Sequence, residues 1–70
     1  MNLTINGEVK AFQTGIDSTT LEMVLTQLGY HPQTIVVEFN GVIINRQKWA
    51  LQKVHEGDVI EIVTIVGGGC

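Results

Sequence analysis

Seventy residues with a single cysteine leave room for one domain, close to the lower size at which a hydrophobic core holds a fold unaided, and exclude an internal disulfide. Seven acids against four bases give a formal charge of −3 with no run of Lys or Arg, which argues against nucleic acid and favours, weakly, docking on a basic protein surface. His31 and His55 lack ligand spacing for a metal, no stretch nears the roughly 18 to 20 apolar residues of a membrane span, and no basic-then-apolar secretion signal opens the chain, so a soluble, cytoplasmic protein is expected.

Asn2-Leu3-Thr4-Ile5 alternates polar and apolar residues, Asn6-Gly7 is the dipeptide favoured in tight hairpin turns, and Glu8-Val9-Lys10-Ala11-Phe12 resumes the alternation. An N-terminal β-hairpin follows from this pattern. Thr19-Thr20-Leu21-Glu22 fits a capping box with Thr19 as the cap, and Leu21, Val24, Leu25 and Leu28 form one apolar helical stripe before Gly29 ends the helix. Pro32 marks a turn, Ile35 to Phe39 reads as a strand, Asn40-Gly41 as a second tight turn, and Val42-Ile43-Ile44 as a short returning strand. Arg46 to Leu51 fits a brief helical turn. His55-Glu56-Gly57-Asp58 launches a last strand, Val59 to Val66. The order β-β-α-β-β-β predicts an α+β fold, a mixed β-sheet grasping one helix, with the first and last strands paired in the middle of the sheet.

The last strand runs into Gly67-Gly68-Gly69 and then Cys70. Glycines lack the Cβ that blocks a narrow cleft, so such a tail is able to thread extended into a partner's active site. A frayed end of no consequence fits the same composition. We therefore divide the chain into a folded domain, residues 1–66, and a flexible glycine-rich tail, residues 67–70.

The opening Met1 to Gly7, the segment Phe39-Asn40-Gly41-Val42-Ile43-Ile44-Asn45-Arg46 with Trp49 following, the Gly57-Asp58 turn and the ending Ile65-Val66-Gly67-Gly68-Gly69 occur in an order and spacing that resemble the ThiS-type sulfur carriers. These are small ubiquitin-like β-grasp proteins of thiamin biosynthesis, related to the MoaD carriers, and the resemblance covers the whole chain. It implies that an adenylase of the ThiF type uses ATP and magnesium to adenylate the terminal glycine carboxylate. Sulfur from a cysteine desulfurase then displaces AMP to give a thiocarboxylate, and a thiazole synthase of the ThiG type takes the sulfur. The carrier itself would bind no cofactor and act as a protein co-substrate, not an enzyme. His31, His55, Asp58 and Glu61 accordingly read as turn and surface residues.

Family members usually end at the second glycine of a pair, whereas Cys70 follows Gly69 here. Aligning the last strand places Gly68-Gly69 on the family's diglycine, so the reactive carboxylate belongs to Gly69 and is released by removal of Cys70, for which a metalloprotease is the implied agent. Two alternatives rank lower: Cys70 as a persulfide carrier, for which the uncharged Gly67 to Gly69 offer nothing to lower the thiol pKa, and attack of its thiol on the Gly69 carbonyl.

Partner contacts are sought in Val63, Ile65, Val36 and Val42, because a sheet covered by one helix cannot bury both faces. Trp49 is either an interface anchor beside Arg46 or, by preference, a lid on the open end of the core. Beside a thiamin carrier stand a carrier for molybdopterin, an amino acid or a siderophore, and a ubiquitin-like interaction module that is never activated.

Overall fold

The computed structural model describes residues 1–13 and 19–65. Their elements are β1 (Asn2–Ile5), β2 (Glu8–Ala11), α1 (Leu21–Leu28), a 3-10 turn at Pro32–Thr34, β3 (Ile35–Phe39), β4 (Val42–Ile43), a second 3-10 turn at Arg46–Lys48, and β5 (Val59–Thr64). The strands form a five-stranded sheet in the order β2-β1-β5-β3-β4. β1 and β5 run parallel at its centre, and the remaining pairs are antiparallel. The expected β-grasp arrangement is the one observed.

Local chemistry explains the two hairpins. Asn6 and Gly7 both take positive φ, 52° and 83°, as do Asn40 and Gly41, at 50° and 87°. Two consecutive left-handed residues make the turn whose twist matches that of the flanking strands, and Asn followed by Gly adopts it with the least strain.

The helix start differs from the expected capping box. Thr20 is the cap: its backbone is extended and its hydroxyl accepts from the Met23 N–H at 3.3 Å. Thr19 is engaged elsewhere, its carbonyl accepting from the Val54 N–H at 3.0 Å. Shifting the cap by one residue puts Met23, not Glu22, at the position from which a side chain reaches back, so the reciprocal bond of a capping box is not formed. Glu22 instead gives its backbone N–H to the Trp49 carbonyl. At the other end Gly29, with φ 85°, closes the helix through bonds to the Leu25 and Thr26 carbonyls.

The core lies between sheet and helix. Leu3 and Ile5 of β1, Ile60 and Ile62 of β5, and Ile35, Val37 and Phe39 of β3 join Leu21, Val24 and Leu25 of α1, with Phe12, Trp49 and Val54 completing the cluster. Leu28, the last member of the predicted stripe, is half-buried against it. β5 ends at Thr64, two residues short of the Val66 expected, because Thr64 pairs with Ile35, the first residue of β3. Val66, Gly67, Gly68, Gly69 and Cys70 lie outside the described residues, as does the expected boundary between domain and tail. Among the described residues no helix is long and apolar enough to cross a membrane.

Candidate functional site

β5 is the strand that leads to the glycines, and it is held from both sides. Ile60 and Ile62 are buried on its inner face, and its backbone is bonded to β1 along one edge and β3 along the other. The two Asn-Gly turns extend both ladders with side chains. Asn6 gives its N–H to the Ile60 carbonyl at 2.9 Å, and its Oδ1 accepts from the Ile62 N–H at 2.6 Å. Across the strand, Asn40 gives its N–H to the Val59 carbonyl and accepts the Val59 N–H on Oδ1, both at 2.8 Å. The Asn40 amide also donates to Asp58 Oδ1 at 3.1 Å, and Asp58 Oδ2 accepts the His55 N–H at 2.7 Å. Asp58 and His55 are therefore parts of the turn that starts β5. The last described anchor is the Ile65 N–H, given to the Thr34 carbonyl at 2.6 Å.

These clamps explain why asparagine suits both turns: it tolerates left-handed backbone and its oxygen continues a ladder where the chain itself turns away. Asn6→Ala should cost about 2 kcal/mol, from strain at positive φ and an unbonded Ile62 N–H, whereas Asn6→Gly should lose only the hydrogen bond, about 1 kcal/mol. Urea unfolding of the two variants measures the difference, and an equal loss in both would contradict the backbone part of the account.

Strand register defines the face turned away from the helix. Val36 pairs with Val63 and Glu38 with Glu61 across β3 and β5, Glu38 pairs with Ile43 on β4, Val59 pairs with Thr4 on β1, and Thr4 with Val9 on β2. Paired residues share a face, so the surface consists of three rows: Val36–Val63, Ile43–Glu38–Glu61 and Val59–Thr4–Val9. Val63 is 62% exposed, Ile43 63% and Val9 71%. Isolated exposed apolar residues are ordinary, but these lie on one face of the sheet, with Glu38, Glu61 and Thr4 among them.

Three expected contacts, Val42, Trp49 and Arg46, do not belong to this face. Val42 is exposed, but it pairs with Phe39 and so points to the helix side at the sheet edge; its neighbour Ile43 occupies the open face instead. The cue was in the sequence, since a two-residue turn at Asn40-Gly41 forces Phe39 and Val42 onto one face. Trp49 is 3% exposed and donates its indole Nε1–H to the Ile44 carbonyl at 3.0 Å, so it is a core residue and not an interface anchor. Arg46 is exposed in the second 3-10 turn, off the strands. Val63 and Ile65 are exposed and Val36 is half-buried. Among the described residues no charged or polar residue is buried, and no three His, Cys, Asp or Glu side chains gather as a metal site.

The model of the ThiS family matches residues 3–69. The chain belongs to the ThiS family. Its fold is the ubiquitin-like β-grasp: the crystal structure of the thiamine biosynthesis protein ThiS from Geobacter metallireducens superimposes with a TM-score of 0.81 at 31% identity, covering 99% of this chain and 100% of that one. A protein named thiazole synthase from Paramagnetospirillum magneticum is 39% identical over 69 residues, and one from Magnetococcus marinus is 36% identical over 69 residues. Each alignment covers 99% of this chain but only 20% of the synthase, so the chain spans about a fifth of the length of these relatives. A ThiS-like segment thus occurs within longer proteins that carry the synthase name.

Proposed function

We propose that the chain is a sulfur carrier for the thiazole of thiamin, with Gly69 as the residue that bears the sulfur. The observation that carries this reading is the family match, which runs through the last strand to Gly69 and stops before Cys70. The solved ThiS relative and the two thiazole synthases with a matching segment support the pathway and the acceptor. On this reading the chain is a co-substrate and its partner enzymes supply the catalytic groups.

The chemistry requires a free glycine carboxylate. A carboxylate is a poor electrophile, and adenylation makes it a mixed anhydride with a good leaving group. In that step a carboxylate oxygen attacks the α-phosphorus of ATP and pyrophosphate departs, with the adenylase and its magnesium offsetting the phosphate charge. The outer sulfur of a persulfide supplied through a cysteine desulfurase next attacks the acyl carbon, the C–S bond forming as the C–O bond to AMP breaks. A second thiol then cleaves the S–S bond of the acyl disulfide, leaving the thiocarboxylate on Gly69 and a disulfide on the donor. The resulting thiocarboxylate keeps sulfur nucleophilic on a protein that thiazole synthase can engage. The Gly69–Cys70 peptide bond must be hydrolysed before any of this, and a metalloprotease is the proposed agent.

Intact mass of the protein from its native host tests the reading. Chains ending at Gly69, part of them carrying sulfur in place of one carboxylate oxygen, are expected. Chains that retain Cys70 and never acquire sulfur, even when the organism's adenylase is abundant, would refute it.

A further inference from the structure

The middle row of the open face sets two acids against each other. Glu38 and Glu61 are directly paired on adjacent antiparallel strands, and both are exposed. Like charges in directly opposed positions destabilise a sheet. Among the described residues neither acid has a cation within ion-pair distance; the ion pairs found are Lys10 with Glu8 and His55 with Asp58. None of the four bases sits on this face by register: Lys10 pairs with Leu3 and shares the helix side, Arg46 and Lys48 lie in a 3-10 turn, and Lys53 bridges to Thr20.

The surroundings of the pair are aliphatic. Along β5, Val59 and Val63 flank Glu61; along β3, Val36 flanks Glu38; Ile43 lies beyond it on the edge strand. An apolar collar around two unneutralised carboxylates suits a partner that covers the face and brings a cation of its own. Exclusion of water by such a collar strengthens a charged contact, and a planar guanidinium is able to meet two carboxylates at once. A second copy of this chain does not fit, because an isologous pairing over this face would bring four carboxylates together.

We propose that this row is the docking determinant for thiazole synthase and that it receives an arginine side chain of that enzyme. The inference rests on the sulfur-carrier reading for the choice of partner, and it adds the chemistry by which the partner is recognised. The occurrence of a related segment inside proteins named thiazole synthase supports that choice, since there the two units share a polypeptide. The sheet keeps an unfavourable pair in the free state because the complex neutralises it, a local conflict of the kind expected at functional surfaces.

The test is calorimetric titration of the carrier against the thiazole synthase of the same organism at low and moderate salt. E38Q/E61Q, which keeps shape and removes both charges, should weaken binding tenfold or more and flatten its salt dependence, as loss of a charge-assisted contact does. The same variant should melt no lower than wild type, which separates lost recognition from lost folding. K10Q, on the opposite face, should bind as wild type does. Wild-type affinity and salt dependence in E38Q/E61Q would overturn the proposal, as would wild-type carrier that does not bind the synthase at all. Sulfur loading of wild type and of each variant, all prepared to end at Gly69, by the adenylase is followed by mass. Normal loading with weakened binding supports the inference; normal loading with unchanged binding defeats it and leaves the carrier reading standing. If wild type never loads, the carrier reading fails by itself, and the binding difference still decides the role of the acids.

Discussion

Deletion of Gly68 and Gly69 is expected to abolish thiocarboxylate formation while changing the stability of the domain by less than about 0.5 kcal/mol. The first half follows from the reaction: an adenylase must bring a carboxylate on an unbranched tail to the α-phosphorus of ATP through a cleft narrow enough to exclude water, and the deletion draws that carboxylate back by about 7 Å of extended chain. The second half follows from the packing. Among the described residues every member of the core cluster lies from Leu3 to Ile62, and the last described backbone anchor is at Ile65. Incubation of the chain without residue 70, with and without the glycine deletion, with adenylase, ATP, magnesium and a sulfur source, read by intact mass, measures the first; a urea titration measures the second. An interaction module would show no sulfur with or without the glycines. Cys70→Ser sharpens the result, because a persulfide on Cys70 would vanish in that variant, whereas loading at Gly69 should persist once residue 70 is removed. Sulfur retained after the glycine deletion but lost in Cys70→Ser would move the chemistry to the thiol.

Much of the fold was legible because its signals are local. Asn-Gly marks both hairpins by a backbone preference, Leu21, Val24 and Leu25 mark the helix by spacing, and β3 begins and ends where its apolar run does. What escaped depended on neighbours distant in the chain. Thr19 and Thr20 are equivalent as caps until Val54 takes the Thr19 carbonyl. The oxygens of Asn6 and Asn40 are turn features until β5 arrives to use them. The candidate surface was half legible: Val36 and Val63 follow from alternation, but alternation within β4 alone does not choose between Val42 and Ile43, and it is the parity of the two-residue turn that puts Ile43 on the open face. The Glu38–Glu61 opposition was invisible for a further reason, since it requires the register between β3 and β5, which no local pattern encodes. The tail's chemistry was legible only through the family resemblance, because glycines carry no functional group to read.

Trp49→Ala should produce the largest loss of stability among single substitutions, about 3–5 kcal/mol. A domain of this size has roughly 4–10 kcal/mol in total, so the variant should be marginal at physiological temperature, with Tm lowered by at least about 12 °C. The indole does three things that alanine cannot replace together. It fills a buried position in the core, its N–H satisfies the Ile44 carbonyl, and it fixes the backbone whose own carbonyl receives the Glu22 N–H in the first turn of α1. Trp49→Phe separates these roles: an aromatic ring remains, the Ile44 hydrogen bond and part of the buried volume are lost, and the cost should fall to about 1–2 kcal/mol. Differential scanning calorimetry of the two variants gives both values. A Trp49→Ala protein that melts like wild type, yet no longer engages its partners, would return the indole to the surface as an interface anchor. The buried ring and the bonded Nε1 lead us to expect the opposite: lowered melting for both variants, and unaltered sulfur loading in whatever fraction of Trp49→Phe is folded.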